Sequence, residues 1–154
     1  MDLNAVKQRF VEIEAPLGIT GYVNTPHSIP ETDLPVALHF VRSATHESNG
    51  SGILIEKRLF LIRVFIVPLV SGVPGESESI VEPYLDRVLV AFGERPGLSS
   101  SESDDPLEGI QTMKIISDSG VTILPYPDAQ TKFLGLEFTV QVMAVSNTQY
   151  VNKE

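Results

Sequence analysis

Leu3, Val6, Phe10 and Ile13 recur at i, i+3, i+7 and i+10, the spacing that lines one face of a helix, and predict a helix over roughly 2–14. Ala15-Pro16-Leu17-Gly18 ends it, because proline lacks the amide hydrogen and disfavours helical backbone in the residue before it. The stretch holding Pro26, Pro30 and Pro35 is expected to be irregular. From Pro35 the period changes to two, with Val36, Leu38 and Phe40 facing one way and Ala37, His39 and Val41 the other, which is a strand. Asn49-Gly50-Ser51-Gly52 breaks the apolar pattern with residues that tolerate positive φ, and Ile53 to Val67 reads as a second strand. The pair forms a hairpin with its tip near 44–52. Leu59 to Val67 is apolar on both faces apart from Arg63, as in a strand covered on both sides, so this strand is placed at the sheet's centre.

The second half repeats the alternation. Ser79-Ile80-Val81-Glu82 fits an S-x-x-E capping box, so a helix is predicted from there, with Ile80, Tyr84, Leu85, Val88 and Phe92 as its buried face, Pro83 in its first turn and Gly93 at its end. Between Pro96 and Pro106 the only apolar residue is Leu98, too little to offset the entropy of ordering, and residues 97–108 read as a flexible acidic surface loop. Gln111, Met113 and Ile115 alternate with Ile110, Thr112, Lys114 and Ile116 in a strand. Asp118-Ser119-Gly120 is read as a turn into Val121–Leu124. Leu134, Leu136, Phe138, Val140, Val142 and Ala144 on one face, against Glu137, Thr139 and Gln141 on the other, give the cleanest strand in the chain. The order is α-ββ-α-ββ: an α+β fold with one mostly antiparallel sheet and helices packed against it. The 154 residues are expected to form a single domain, with 147–154 as a C-terminal tail.

Composition narrows the chemistry. With no cysteine, a disulfide framework, a thiolate nucleophile and cysteine-ligated zinc are excluded. The start of the chain has neither a basic nor an apolar signal region, and no run approaches the ~18 apolar residues of a membrane helix, so an intracellular place and no membrane partner are expected. The net charge of −9 argues against a surface that grips nucleic acid, since such affinity comes mostly from lysine and arginine on phosphates. The charge is also uneven: nine acids and two bases lie between Glu76 and Glu108. A solvated helix face with a polar loop explains this; so does a surface that must repel a polyanion or meet a basic partner.

Catalytic patterns are weak. His27, His39 and His46 lack the short histidine pairing of a zinc site. Gly50-Ser51-Gly52 falls short of a nucleophile elbow and sits in a hairpin turn. Gly72-Val73-Pro74-Gly75 precedes a helix, but no G-K-[ST] follows, and Glu76 and Glu78 would repel a phosphate. Asp104 and Asp105 lie where nothing fixes their separation. No enzyme activity, metal or cofactor is expected.

The leading helix, the long apolar hairpin, the second helix entered through Val70-Ser71-Gly72-Val73-Pro74-Gly75-Glu76, the polar insertion and the closing amphipathic strands resemble the tail terminator proteins of long-tailed bacteriophages. Glu82-Pro83-Tyr84-Leu85-Asp86-Arg87-Val88-Leu89-Val90-Ala91-Phe92 and Gly135-Leu136-Glu137-Phe138-Thr139-Val140-Gln141-Val142 carry the likeness, which covers roughly residues 2–146 in element order and texture. The resemblance implies a virion protein of the neck, assembled in the bacterial cytoplasm, that closes into a homo-oligomeric ring, a hexamer, on the finished tail tube. Tube growth stops there and the head-tail connector protein docks on the other face. DNA would pass through without specific binding. Arg42, Lys57 and Arg58 on the hairpin are the expected contacts to a neighbouring subunit or the tube protein, and Glu102, Asp104, Asp105 and Glu108 the expected acidic rim of the DNA channel. Other neck or tail proteins (head completion or tail tube) and a small cytosolic α+β enzyme or ligand-binding domain stand as alternatives. Unlimited self-polymerisation would mark a tube protein, and a deep apolar pocket with convergent polar groups would mark the enzyme.

Overall fold

A helix of twelve residues needs a partner for its apolar stripe and a cap for its first amides, and the computed structural model supplies both for α1 (Leu3–Glu14). The Asp2 carboxylate accepts from the Ala5 N–H at 3.1 Å, while Val6, Phe10 and Ile13 are buried. The structure describes residues 1–48, 50–69, 74–100 and 102–147, with the backbone alone for 74–76. Asn49 of the expected hairpin turn, the 70–73 entry to the second helix, Ser101 and the 148–154 part of the C-terminal tail lie outside the described residues.

One five-stranded sheet carries the fold: β1 (Thr20–Tyr22), β2 (Val36–Ser48), β3 (Ile53–Pro68), β4 (Ile110–Pro125) and β5 (Lys132–Asn147), in the spatial order β1-β2-β3-β5-β4. Only β1 runs parallel to its neighbour. β3 is central, as its apolar faces predict. Both helices lie on one face of this sheet, with the expected α-ββ-α-ββ order, and the main core forms between them. On β5 the predicted set Leu134, Leu136, Phe138, Val140, Val142 and Ala144 is buried without exception. Gly135 between them is required: a Cβ there would run into the Val64 carbonyl oxygen across the ladder.

Four expectations change. The stretch before Pro35 is not wholly irregular, because β1 pairs with Val36–Leu38 and a 3-10 turn forms at Glu31–Asp33. Gly21 permits this: a Cβ would strike the Glu14 carboxylate and Val11 of α1. The hairpin tip is shorter than 44–52, since pairing continues to Ser48 opposite Leu54. Backbone pairing continues where side chains turn polar, because the ladder's hydrogen bonds do not depend on them.

The second helix, α2 (Pro74–Gly93), begins five residues before the predicted cap. Ser79 is therefore interior and Pro83 lies inside the helix beyond its first turn; Val88 and Phe92 are buried and Tyr84 and Leu85 pack half-buried on the core as expected, while Val81 takes the place of Ile80, which is 54% exposed. Finally, Asp118-Ser119-Gly120 does not reverse the chain. It is a bulge within β4, where Gly120 at φ +65° donates its N–H to the Asp118 carboxylate at 2.8 Å. Two further register shifts on β4, at Ile110/Thr112 and Ile115/Ser117, interrupt this edge strand and blunt it as a template for further pairing.

Candidate functional site

Register decides which side chains share a face. Directly paired residues lie on the same side, so Phe40 with Leu61 and Leu38 with Arg63 are on the face opposite the helices, as are Thr45 with Lys57 and Glu47 with Ile55. A small second core, with Val36, Leu38, Phe65, Leu124 and Phe133, covers one end of this outer face under Ile29, Leu34 and Tyr126. Tyr22 donates to Asp33 at 2.8 Å and Tyr126 to the Pro26 carbonyl, pinning the covering segments. Beyond that end, toward the β2–β3 hairpin tip, no described element lies over the sheet.

What this stretch presents is apolar and basic. Ile55, Leu59, Leu61 and Met143 are half-buried there by their sheet neighbours alone. The Phe40 ring is flanked by two guanidinium groups, Arg42 and Arg63, each 5.4 Å from its centroid. Arg63 also bonds Glu137 across the ladder at 3.0 Å, and Lys57 lies 3.7 Å from Glu47. Strand β3 at about 3.3 Å per residue is about 50 Å long, whereas α1 and α2 at about 1.5 Å per residue reach about 18 and 30 Å, so neither helix spans the length of the strand.

The three predicted basic contacts thus divide. Arg42 and Lys57 stand on the outer face, while Arg58 is paired with Val142 and so points to the helix side, bonded to Glu56 at 2.8 Å and to the Arg42 carbonyl at 3.0 Å. A period-two count from Lys57 separates it from Arg58, and continues to Leu59, Leu61 and Arg63, which the sequence reading did not group with it.

Glu102, Asp104, Asp105 and Glu108 are all exposed. Their loop is tied down at both ends: Leu98 is fully buried in the main core, the Leu107 N–H donates to the Gly97 carbonyl at 2.9 Å, and Arg95 donates to the Ser99 carbonyl at 3.1 Å. Leu98, the one apolar residue in the run, is the anchor. A second acidic surface, part of the acidic run marked in the sequence from Glu76 to Glu108, runs along α2, where Glu78, Glu82, Asp86 and Val90, and Glu94 just past its end, recur every four residues and are all exposed.

His39, placed mid-strand by the sequence, is buried in the main layer. Its Nδ1 is 2.7 Å from the Tyr22 carbonyl, which can only accept, so Nδ1 carries a proton; its Nε2 meets the Glu14 carboxyl at 2.8 and 2.9 Å. One further proton serves the Glu14–Nε2 contact, on either the carboxyl or the imidazole. Burial pushes the Glu14 carboxyl above its ordinary range, and His39 pulls it part of the way back. The pair fastens the end of α1 to β2 and β1. Periodicity gave no sign of it, since Glu14 ends its helix where either a solvent or a core position was open. His27 and His46 are exposed while this pair is buried, and among the described residues no three His, Asp or Glu side chains form a metal-binding group. No protein-family model matches the chain, and no curated protein matches it significantly.

Proposed function

We propose that this chain is a structural ring subunit of the tail terminator type, which caps a phage tail tube, stops its growth and joins it to the head connector. The observation that carries the reading is the long outer sheet face of the β2–β3 hairpin, apolar and basic, over which no described element lies. A sheet face of this kind gains by burial against a neighbour, at roughly 25 cal/mol per Å² of apolar surface removed from water. The exposed acids Glu102, Asp104, Asp105 and Glu108 suit the rim of a channel through which DNA slides without adhering. The work of such a subunit lies in its faces and in the contact between copies.

Native mass spectrometry and sedimentation of the purified protein test this. A discrete species near six subunits is expected, alone or on added tubes. Unlimited filaments from the isolated protein would instead make it a tube subunit, and a chain that stays monomeric both alone and with tubes would remove the ring reading.

A further inference from the structure

An uncovered face with apolar and positive side chains calls for a partner with an apolar and negative one, and the molecule carries such a surface on its other side. Along α2 the exposed row Glu78, Glu82, Asp86 and Val90 drifts about 40° round the helix at each step, so the part that faces one direction is Glu82, Asp86 and Val90, two carboxylates beside a valine that is 60% exposed. Only Arg87 interrupts it, and that guanidinium lies over the Tyr84 ring at 5.3 Å. From Glu82 to Val90 the helical rise is about 12 Å. On the outer sheet face Lys57, Leu59 and Leu61 span about 13 Å along β3, with Arg42 beside them over Phe40; Arg63, next along the strand, is bonded to Glu137, and Lys57 lies 3.7 Å from the exposed Glu47. The two surfaces match in length and in opposite sign, and each carries apolar side chains next to its charges. They lie on opposite faces of the same sheet, so one chain cannot bring its own two together.

We infer that the outer face of the β2–β3 hairpin, through Phe40, Arg42, Lys57, Leu59 and Leu61, docks the α2 ridge of a second copy of this chain. This deepens the ring reading and rests on it. Two different surfaces of each copy are used, so the contact is head-to-tail: it repeats around a ring when the rotation closes and continues as a filament when it does not. Phe40, Leu59, Leu61 and Val90 supply affinity, and the charges set register and rate of encounter. The contact therefore weakens as salt is raised, since exposed charges farther apart than about 8 Å are screened at physiological ionic strength.

Charge reversal tests the pairing. One variant carries Arg42→Glu and Lys57→Glu; the other carries Glu82→Lys and Asp86→Lys. All four side chains are at the surface or half-exposed, and circular dichroism checks that each variant folds. Each alone places like charges together and is expected to weaken self-association at least about tenfold. Mixed in equal amounts, they are expected to assemble again, because each sheet face then meets a helix ridge of opposite sign in strict alternation, giving assemblies with even numbers of subunits. Assemblies of wild-type size in both separate variants would overturn the pairing and leave the ring reading standing. Failure of the mixture to assemble, when each variant alone is folded and monomeric, would also overturn the pairing. A wild-type chain that never self-associates, alone or on tubes, would overturn both.

Discussion

Glu14 and His39 carry the most consequential polar contact at the level of single side chains, and its two members are 1% and 2% exposed. A buried carboxyl with a raised pKa holds its proton in the folded chain at a pH where the unfolded chain has released it. Its contribution to stability is therefore complete below the ordinary glutamate range and is lost as pH rises through the raised folded value. Comparing urea unfolding of the wild type and Glu14→Gln across pH isolates this: the wild type is expected to lose stability relative to the variant over that window, and a flat difference would refute the assignment. Glu14→Ala is expected to cost about 1–3 kcal/mol, because it leaves Nε2 of His39 buried without a partner. Glu14→Gln keeps an amide that can donate to Nε2 and is expected to cost less.

Among the elements, the segment between α2 and β4 departs most from its composition. Leu98 has φ 55°, the left-handed region, which costs a residue with a Cβ about 1–2 kcal/mol. Full burial of a leucine side chain is worth about 1.5–3 kcal/mol, enough to hold it there. Leu98→Ala keeps the backbone cost and loses the burial, so it is expected to destabilise the domain by about 2–5 kcal/mol in denaturant unfolding. A loss within experimental error would mean that the loop is held by its backbone hydrogen bonds alone. The bulges on β4 belong to the same scale: they let a sixteen-residue edge strand follow β5 while interrupting the regular ladder that another chain could extend.

For the molecule as a whole, charge is sorted by face. The outer sheet face is basic around Phe40, while the α2 ridge and the 102–108 loop are acidic, within a chain whose net charge is −9. On the ring reading the loop's field matters more than its sequence. Replacing Glu102, Asp104, Asp105 and Glu108 with lysine is expected to leave folding intact and give the assembled ring measurable affinity for duplex DNA that falls with salt, while asparagine at the same positions has a much smaller effect. DNA binding unchanged in the lysine variant, read by anisotropy, would remove the loop from the channel. Asparagine damaging assembly as much as lysine would make these acids contacts to a partner.

The local patterns in the sequence were enough for the helix over 2–14, the central position of β3, the buried alternation of β5 and the α-ββ-α-ββ order, because each follows from a period of 3.6 or 2 in side chains next to one another along the chain. They misplaced the start of α2, where a capping box matched inside a longer helix, and Asp118-Ser119-Gly120, because the same residues serve a turn and a bulge until a partner strand is present. Arg42, Lys57 and Arg58 were grouped as the basic flank of the hairpin; the period of two already separates Lys57 from Arg58, and the ladder with β5 decided that Arg58 takes the helix side. Tertiary structure alone decided that Glu14 meets His39 from 25 residues away, that Leu98 leaves its polar loop for the core, and that both helices choose one face of the sheet. Each of these depends on which distant surfaces come together, and burial is a property of such pairs of surfaces, which local periodicity cannot encode.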